Sequence, residues 1–225
     1  MNPSTINAPR VRIVPSPGPN VDAGVVRNAR ATLTTMDLRV VVADDVRALR
    51  QACANPRVPV VKLRGGVEYL LRSDLAVRHG IVIQGVPGAT IKPYSADYAP
   101  EIVVDAASSA DVELRDLWTY CPVLAVTPIE LRGARLLGDY GTAHASALVD
   151  IYGAAAGSGL IGCRSSAGFA GVGMQIDAAA GGSRVIGCDF ASCATPYRLA
   201  TAGGHHYGTL TGTVSDVNHG AVTLY

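Results

Sequence analysis

Leu160-Ile161-Gly162-Cys163 returns 25 residues later as Val185-Ile186-Gly187-Cys188. Branched apolar residues, a glycine and a cysteine in the same order point to one structural unit used twice. A third copy, Leu210-Thr211-Gly212-Thr213, stands another 25 residues on. Stepping back by 24 reaches Gly138 behind Leu136-Leu137, and 24 more reaches Leu114 in Val112-Glu113-Leu114-Arg115. An independent series, Val126, Ile151, Ile176, Leu199 and Leu224, is spaced by 25, 25, 23 and 25. Two strand series with one shared period mean that each repeat carries at least two strands and that successive repeats stack. The sequence thus predicts an all-β, right-handed parallel β-helix of about seven turns between Val58 and Tyr225, with a period of 24–25 residues. Gly138, Gly162, Gly187 and Gly212 are expected in one column, and Ile151, Ile176 and Leu199 in another. Glycine-rich stretches such as Gly153-Ala154-Ala155-Ala156-Gly157 supply the corners.

Composition agrees with a narrow core. Hydrophobic residues make up 48% of the chain, yet there are only two Phe and one Trp against 25 Gly. Small and β-branched side chains suit stacked strands better than a wide two-layer core. The formal net charge of +1 gives no whole-molecule attraction to nucleic acid or to a membrane surface. No apolar run reaches the roughly 18 residues of a membrane span, and Met1-Asn2-Pro3-Ser4-Thr5 does not open like a secretory signal. Five Cys without CxxC spacing read as buried free thiols of a chain made in a reducing cytoplasm.

Upstream of the repeats, Asp44-Asp45-Val46-Arg47-Ala48-Leu49-Arg50-Gln51-Ala52-Cys53 reads as a short capped amphipathic helix stopped by Asn55-Pro56. Val58–Leu71 holds two strands around Gly65-Gly66, and Gly80–Gly85 and Ala89–Lys92 form a further pair. This opening, from Asp44 to Lys92, resembles the start of pectate-lyase-like β-helices, common in bacteriophage tailspikes and other virion proteins. The resemblance implies that the helix caps one end of the solenoid, that the Gly-Tyr strand is its first rung, and that the chain belongs to a virus particle as a trimer.

Residues 1–43 differ from the solenoid span, 44–225. Pro3, Pro9, Pro15, Pro17 and Pro19 impose extended backbone, and the stretch has no core of its own. It reads as an arm that lies on a partner or on a neighbouring copy. Ile6, Val11, Ile13 and Val14 would give strand-like apolar contact there, and Arg10, Arg12, Arg27 and Arg30 polar anchoring. At the other end, Ala221-Val222-Thr223-Leu224-Tyr225 reads as a strand with no cap after it. Val222, Leu224 and Tyr225 are therefore the expected oligomer contacts.

Few residues in the sequence could carry chemistry. Two positions after the repeated glycine stand Asp116, Tyr140, Arg164, Asp189 and Val214. Asp116 and Asp189 would lie three turns apart, about 14 Å, too far to share a metal or to act as a glycosidase pair. Cys163 and Cys188, with Thr213 above, are expected as touching core thiols. His205-His206 lies on a loop with no further ligand at metal spacing, and His79, His144 and His219 are isolated. Trp118 reads as a packing residue or a sugar platform. No catalytic, cofactor or metal residue is assigned.

The expectation is a non-enzymatic structural protein of a bacteriophage virion, a capsid decoration protein that binds itself and the major capsid protein or another virion component. The alternative is a tailspike- or fibre-type protein that binds or cleaves a surface polysaccharide through residues such as Asp116, Arg164 and Asp189.

Overall fold

The computed structural model describes residues 40–107, 111–137, 147–165, 168–200 and 203–216. Within them the chain winds as a parallel β-solenoid of about seven turns with three parallel sheets. Sheet 1 is built from Val41–Ala43, Val60–Leu63, Ile81–Gln84, Val112–Arg115, Glu130–Arg132, Gly159–Ile161, Arg184–Ile186 and His206–Tyr207, in that spatial order. Sheet 2 holds Glu68–Leu71, Thr90–Pro93, Trp118–Thr119, Arg135–Leu136, Arg164–Ser165, Cys188–Asp189 and Leu210–Thr211. Sheet 3 holds Leu75–Val77, Ile102–Val104, Val123–Ala125, Ala147–Ile151, Phe169–Ile176, Cys193–Leu199 and Val214–Asp216. Strands adjacent in a sheet always come from consecutive turns, which is the solenoid predicted from the repeat.

Alternation decides which side chains fill the interior. In Val60–Leu63, Val61 and Leu63 are buried while Lys62 faces solvent; in Glu68–Leu71, Tyr69 and Leu71 are buried while Glu68 and Leu70 are exposed. The interior is a stack of columns, such as Val61, Ile83, Leu114, Leu131, Leu160, Val185 and Tyr207 in sheet 1. All seven are buried.

Those same register partners show that the mean step is close to 24 residues, but single steps run from 17 (Leu114 to Leu131) to 31 (Ile83 to Leu114). Loop length between strands is free to vary, because only the strands must stack. Several expected alignments change as a result. Gly162 and Gly187 do share a column, and Ile151, Ile176 and Leu199 are register partners. The column below Gly162 continues with Gly133, not Gly138, because the turn from Leu131 to Leu160 takes 29 residues. Gly212 follows Leu210–Thr211, which pair with Cys188–Asp189, so it stands beside Phe190 and outside the glycine column. The partner of Ile151 is Ala125, one residue before Val126, and above Leu199 stands Asp216 instead of Leu224. Gly138, Tyr140, His144, His219 and Leu224 lie outside the described residues.

One short helix, α1 (Val46–Ala54), packs against Val41–Ala43 and Leu75–Val77 and closes the lower end of the core with Leu49, Ala52 and Cys53. The Asp45 carboxylate accepts the Ala48 N–H at 2.7 Å, a cap that stabilises a helix by about 1 kcal/mol. Arg50 ties the helix to the turn before sheet 3 by donating to the carbonyls of Ser73 and Asp74. Val41–Ala43, at the end of the stretch read as arm, is already a strand of the solenoid, paired with Val61–Leu63. The buried Tyr69 hydroxyl fastens it by donating to the Ala43 carbonyl at 2.6 Å. The arm residues Ile6, Arg10, Val11, Arg12, Ile13, Val14, Arg27 and Arg30, and the terminal Val222, Leu224 and Tyr225, lie outside the described residues.

Candidate functional site

The outer face of sheet 1 carries the most organised charge among the described residues. Glu113 and Glu130 are register partners on consecutive rungs, and so are Arg115 and Arg132. Like charges at the rung spacing of about 4.8 Å repel, so each carboxylate needs a cation. Arg115 grips Glu113 with both prongs, Nε to Oε1 at 2.9 Å and Nη2 to Oε2 at 2.7 Å. Arg132 bridges the two acids, with Nε 3.5 Å from Glu113 Oε1 and Nη2 2.8 Å from Glu130 Oε1, the latter an ion pair off the hydrogen-bond axis that leaves the buried Glu130 Oε1 without a hydrogen bond. Arg184 reaches Glu130 Oε2 at 3.6 Å from two rungs above. That reach is possible because the intervening residue, Gly159, has no side chain: a Cβ there would overlap the Glu130 carboxylate. Beside this ladder runs a groove of about 340 Å³ lined by Val82, Asp111, Glu113, Pro128, Glu130 and Arg132, among others.

The outer face of sheet 3 is different. Asp150 has Leu124 as its register partner below and Gln175 above, and Arg198 follows Gln175 on the next rung. Arg198 donates to Gln175 Oε1 at 3.3 Å. Asp150 Oδ1 is closed off from solvent and has no hydrogen-bond partner. Burial, then the charges of Asp177 and Glu101, push the Asp150 carboxyl up to about 6, while Arg198 pulls the other way. Glu101 is itself raised, by burial and by Asp74. Asp150 is thus a half-buried acid that exchanges its proton near neutral pH, a property shared by general acids and by plain structural acids in apolar surroundings.

On sheet 2, Arg164 and Asp189 are neighbours, as the repeat predicts. Asp116 is not in their column: it occupies the corner below Gly133, with a backbone φ of 53°, where glycine stands in the turns above. Val214 pairs with Tyr197. Of the three residues expected of a lyase-type set, Arg164 and Asp189 are brought together and Asp116 is not. Trp118 lies on the same face, and its ring is covered by the Arg135 guanidinium at 4.6 Å. Lys92 sits 5.3 Å from the Tyr120 ring and also pairs with Glu68.

All five cysteines are free and buried. Burial pushes the thiols of Cys53 and Cys121 up to about 12, which keeps them protonated and unreactive. Cys163 and Cys188 stand on consecutive rungs, as expected, but Leu210 and not Thr213 is above them. His79 faces the carbonyls of Gly80 and Ala52, and His205 stacks on Tyr207. Among the described residues no three His, Cys, Asp or Glu side chains stand together in a way that would hold a metal.

The Glu113–Arg115–Glu130–Arg132 ladder and Asp150 were not singled out from the sequence. A signal for the ladder was present: Glu-Leu-Arg occurs at 113–115 and again at 130–132. Its spacing of 17 falls outside a period fixed at 24–25. Asp150 carried no signal, because its environment depends on what stands a rung above and below. No family model matches the sequence, and no curated protein or solved structure is detectably similar to it.

Proposed function

We propose that the chain is a non-enzymatic structural protein, a stiff solenoid that serves as a binding body in a bacteriophage virion. Capsid decoration is the favoured role. In this reading residues 1–39 attach it to the major capsid protein or another virion component, copies associate as a homotrimer, and neither nucleic acid nor membrane is a partner. Virion membership rests on the resemblance of Asp44–Lys92 to pectate-lyase-like β-helices of phage particles. The observation that supports a non-catalytic body is Arg132, which bridges Glu113 and Glu130. A carboxylate pair on adjacent rungs is the arrangement an acid–base mechanism needs, and here each acid is committed to guanidinium groups. Imaging intact particles, with copy number and position of this protein, tests the reading. Absence of the protein from purified particles would overturn it.

Asp150 favours a second reading, a tailspike- or fibre-type protein acting on a surface polysaccharide. An acid poised near neutrality is the right kind of group for protonating a leaving oxygen. Incubation of the purified protein with acidic and neutral polysaccharides, with and without calcium, separates the two. Cleavage lost in Asp150→Asn would establish the enzyme; no cleavage is expected.

A further inference from the structure

Cys163 and Cys188 differ from the other three thiols in having each other. Both immediately precede the register partners Arg164 and Asp189, so they occupy one interior column on consecutive rungs. Aligned residues on stacked parallel strands have Cα atoms about 4.8–5 Å apart, inside the 4.4–6.8 Å range that a disulfide spans. The side chains also point the same way. Cys163 Sγ donates towards the carbonyls of Leu131 and Ile161, at 3.3 and 3.6 Å. Cys188 Sγ does so towards Leu160 and Ile186, both at 3.6 Å, one rung higher. The Cys188 side chain beside it, then burial, pushes the Cys163 thiol up, and the Cys163 side chain draws the Cys188 thiol down, which favours the thiolate on Cys188. By contrast Cys193 has Phe169 as its register partner.

Among the described residues Cys188 is covered in its column by Leu210, in a rung whose strands are His206–Tyr207, Leu210–Thr211 and Val214–Asp216, two of them only two residues long. Short strands with few ladder bonds open locally more readily than the rest of a fold. Opening of that rung uncovers Cys188 while the rungs below remain closed.

We propose that Cys163 and Cys188 are a redox staple: reduced during synthesis, and joined as an inter-rung disulfide when the chain meets a low-molecular-weight disulfide in an oxidising medium. The Cys188 thiolate attacks one sulfur of that oxidant, forms a mixed disulfide and expels one thiolate, which takes up the proton Cys188 lost. Cys163, deprotonating, then attacks the Cys188 sulfur and expels the second thiol. The protein loses two hydrogens and the oxidant gains them. The product ties two turns across a loop of 24 residues.

The test uses the full chain in native buffer with 2,2′-dithiodipyridine as the oxidant. The expected result is a mass loss of about two daltons, three thiols remaining of the five, and a thermal midpoint raised by roughly 5–10 °C. Dithiothreitol should reverse all three. Trypsin cuts after Arg164 and leaves Cys188 and Cys193 together on Val185–Arg198. Cys193→Ser therefore identifies the partner: the link to Cys163 persists in this variant if the staple is correct. A link lost in Cys193→Ser, mixed disulfides without the internal bond, or no reaction before global unfolding would each overturn the proposal. The parent chain alone decides the last two outcomes, so they stand even if a Ser variant fails to fold.

Discussion

The outer faces of sheets 1 and 3 share a backbone geometry and treat acids in opposite ways. On sheet 1, Glu113 and Glu130 meet Arg115 and Arg132 on their own or neighbouring rungs, and Glu130 meets Arg184 from two rungs above. On sheet 3, Asp150 meets Leu124 below and Gln175 above, and the cation that lowers it, Arg198, already donates to Gln175. In a solenoid the neighbours of a residue are one turn away in sequence, so the register in which the strands stack, and not the length of the loops between them, decides which charges meet. The 17-residue turn from Leu114 to Leu131 places one Glu-Leu-Arg directly on another. A single extra residue on that strand would set Glu over Leu and invert inside and outside. The difference between the faces is thus one of register, and it separates an acid that serves as structure from an acid left to titrate.

The first way to break this comparison acts on what both faces share. Leu131 is fully buried between Leu114 and Leu160. Leu131→Ala leaves a void in a column that cannot close without shifting two rungs, so it should cost 2–5 kcal/mol, about. Chemical denaturation measures it. A loss smaller than that of any surface variant would mean that the ladder, and not the core, holds these turns together.

The second variant addresses Asp150. Its folded carboxyl stands at about 6 against an ordinary 3.8, so ionisation opposes folding. The contribution is harmless below the unfolded value, and stability is lost as pH rises from there through 6. Full conversion of the shift would give about 3 kcal/mol, but the group is only half-buried and solvent screening reduces this to about 1 kcal/mol. Asp150→Asn should therefore stabilise the protein by about 1 kcal/mol at pH 8 and leave it unchanged at pH 3.5. Equal gains at both pH values would show that the effect is not ionisation, and a loss at pH 8 would reveal a cation partner for the charged form.

The third variant, Arg132→Ala, removes the bridge between two carboxylates on adjacent rungs. Exposed ion pairs are worth 0.2–1 kcal/mol, roughly, and here two are lost together. A destabilisation of about 1 kcal/mol at low salt, fading as ionic strength rises, is the expected outcome. No salt dependence would indicate that Arg132 acts through packing of its stem.

The fold was legible because stacking repeats residue types: Leu-Ile-Gly-Cys and Val-Ile-Gly-Cys are one rung apart and look it. The capping helix was legible from Asp45 and the apolar spacing of Leu49 and Cys53. The site was less so, because a fixed period was carried across turns of unequal length. Gly212 and Val126 were misplaced by that assumption, and the Glu-Leu-Arg pair was passed over by it. Asp150 shows a deeper limit: its proton affinity is set by burial and by Asp177, Glu101 and Arg198, three residues that lie on turns other than its own.

The smallest effect concerns the corner where sheet 1 passes into sheet 2. Gly133, Gly162 and Gly187 adopt φ of 61–63° in this column, and the turn below them does so with Asp116 at 53°. A left-handed backbone costs an ordinary L-residue roughly 1–2 kcal/mol, and Asp less, because its short side chain bonds locally. Asp116→Gly removes that cost, but glycine loses more backbone freedom on folding, which offsets most of the gain. The variant should be more stable by a few tenths of a kcal/mol. Asp116 Oδ1 also fills the space beside the Gly133 α-carbon, where a Cβ would stand 2.5 Å from it. The same truncation should thus make Gly133→Ala less damaging in the double variant than alone, by about 0.5 kcal/mol on the scale of coupled neighbours. Strict additivity of the two changes would mean that the corner is governed by backbone conformation alone, with no steric contact between successive turns.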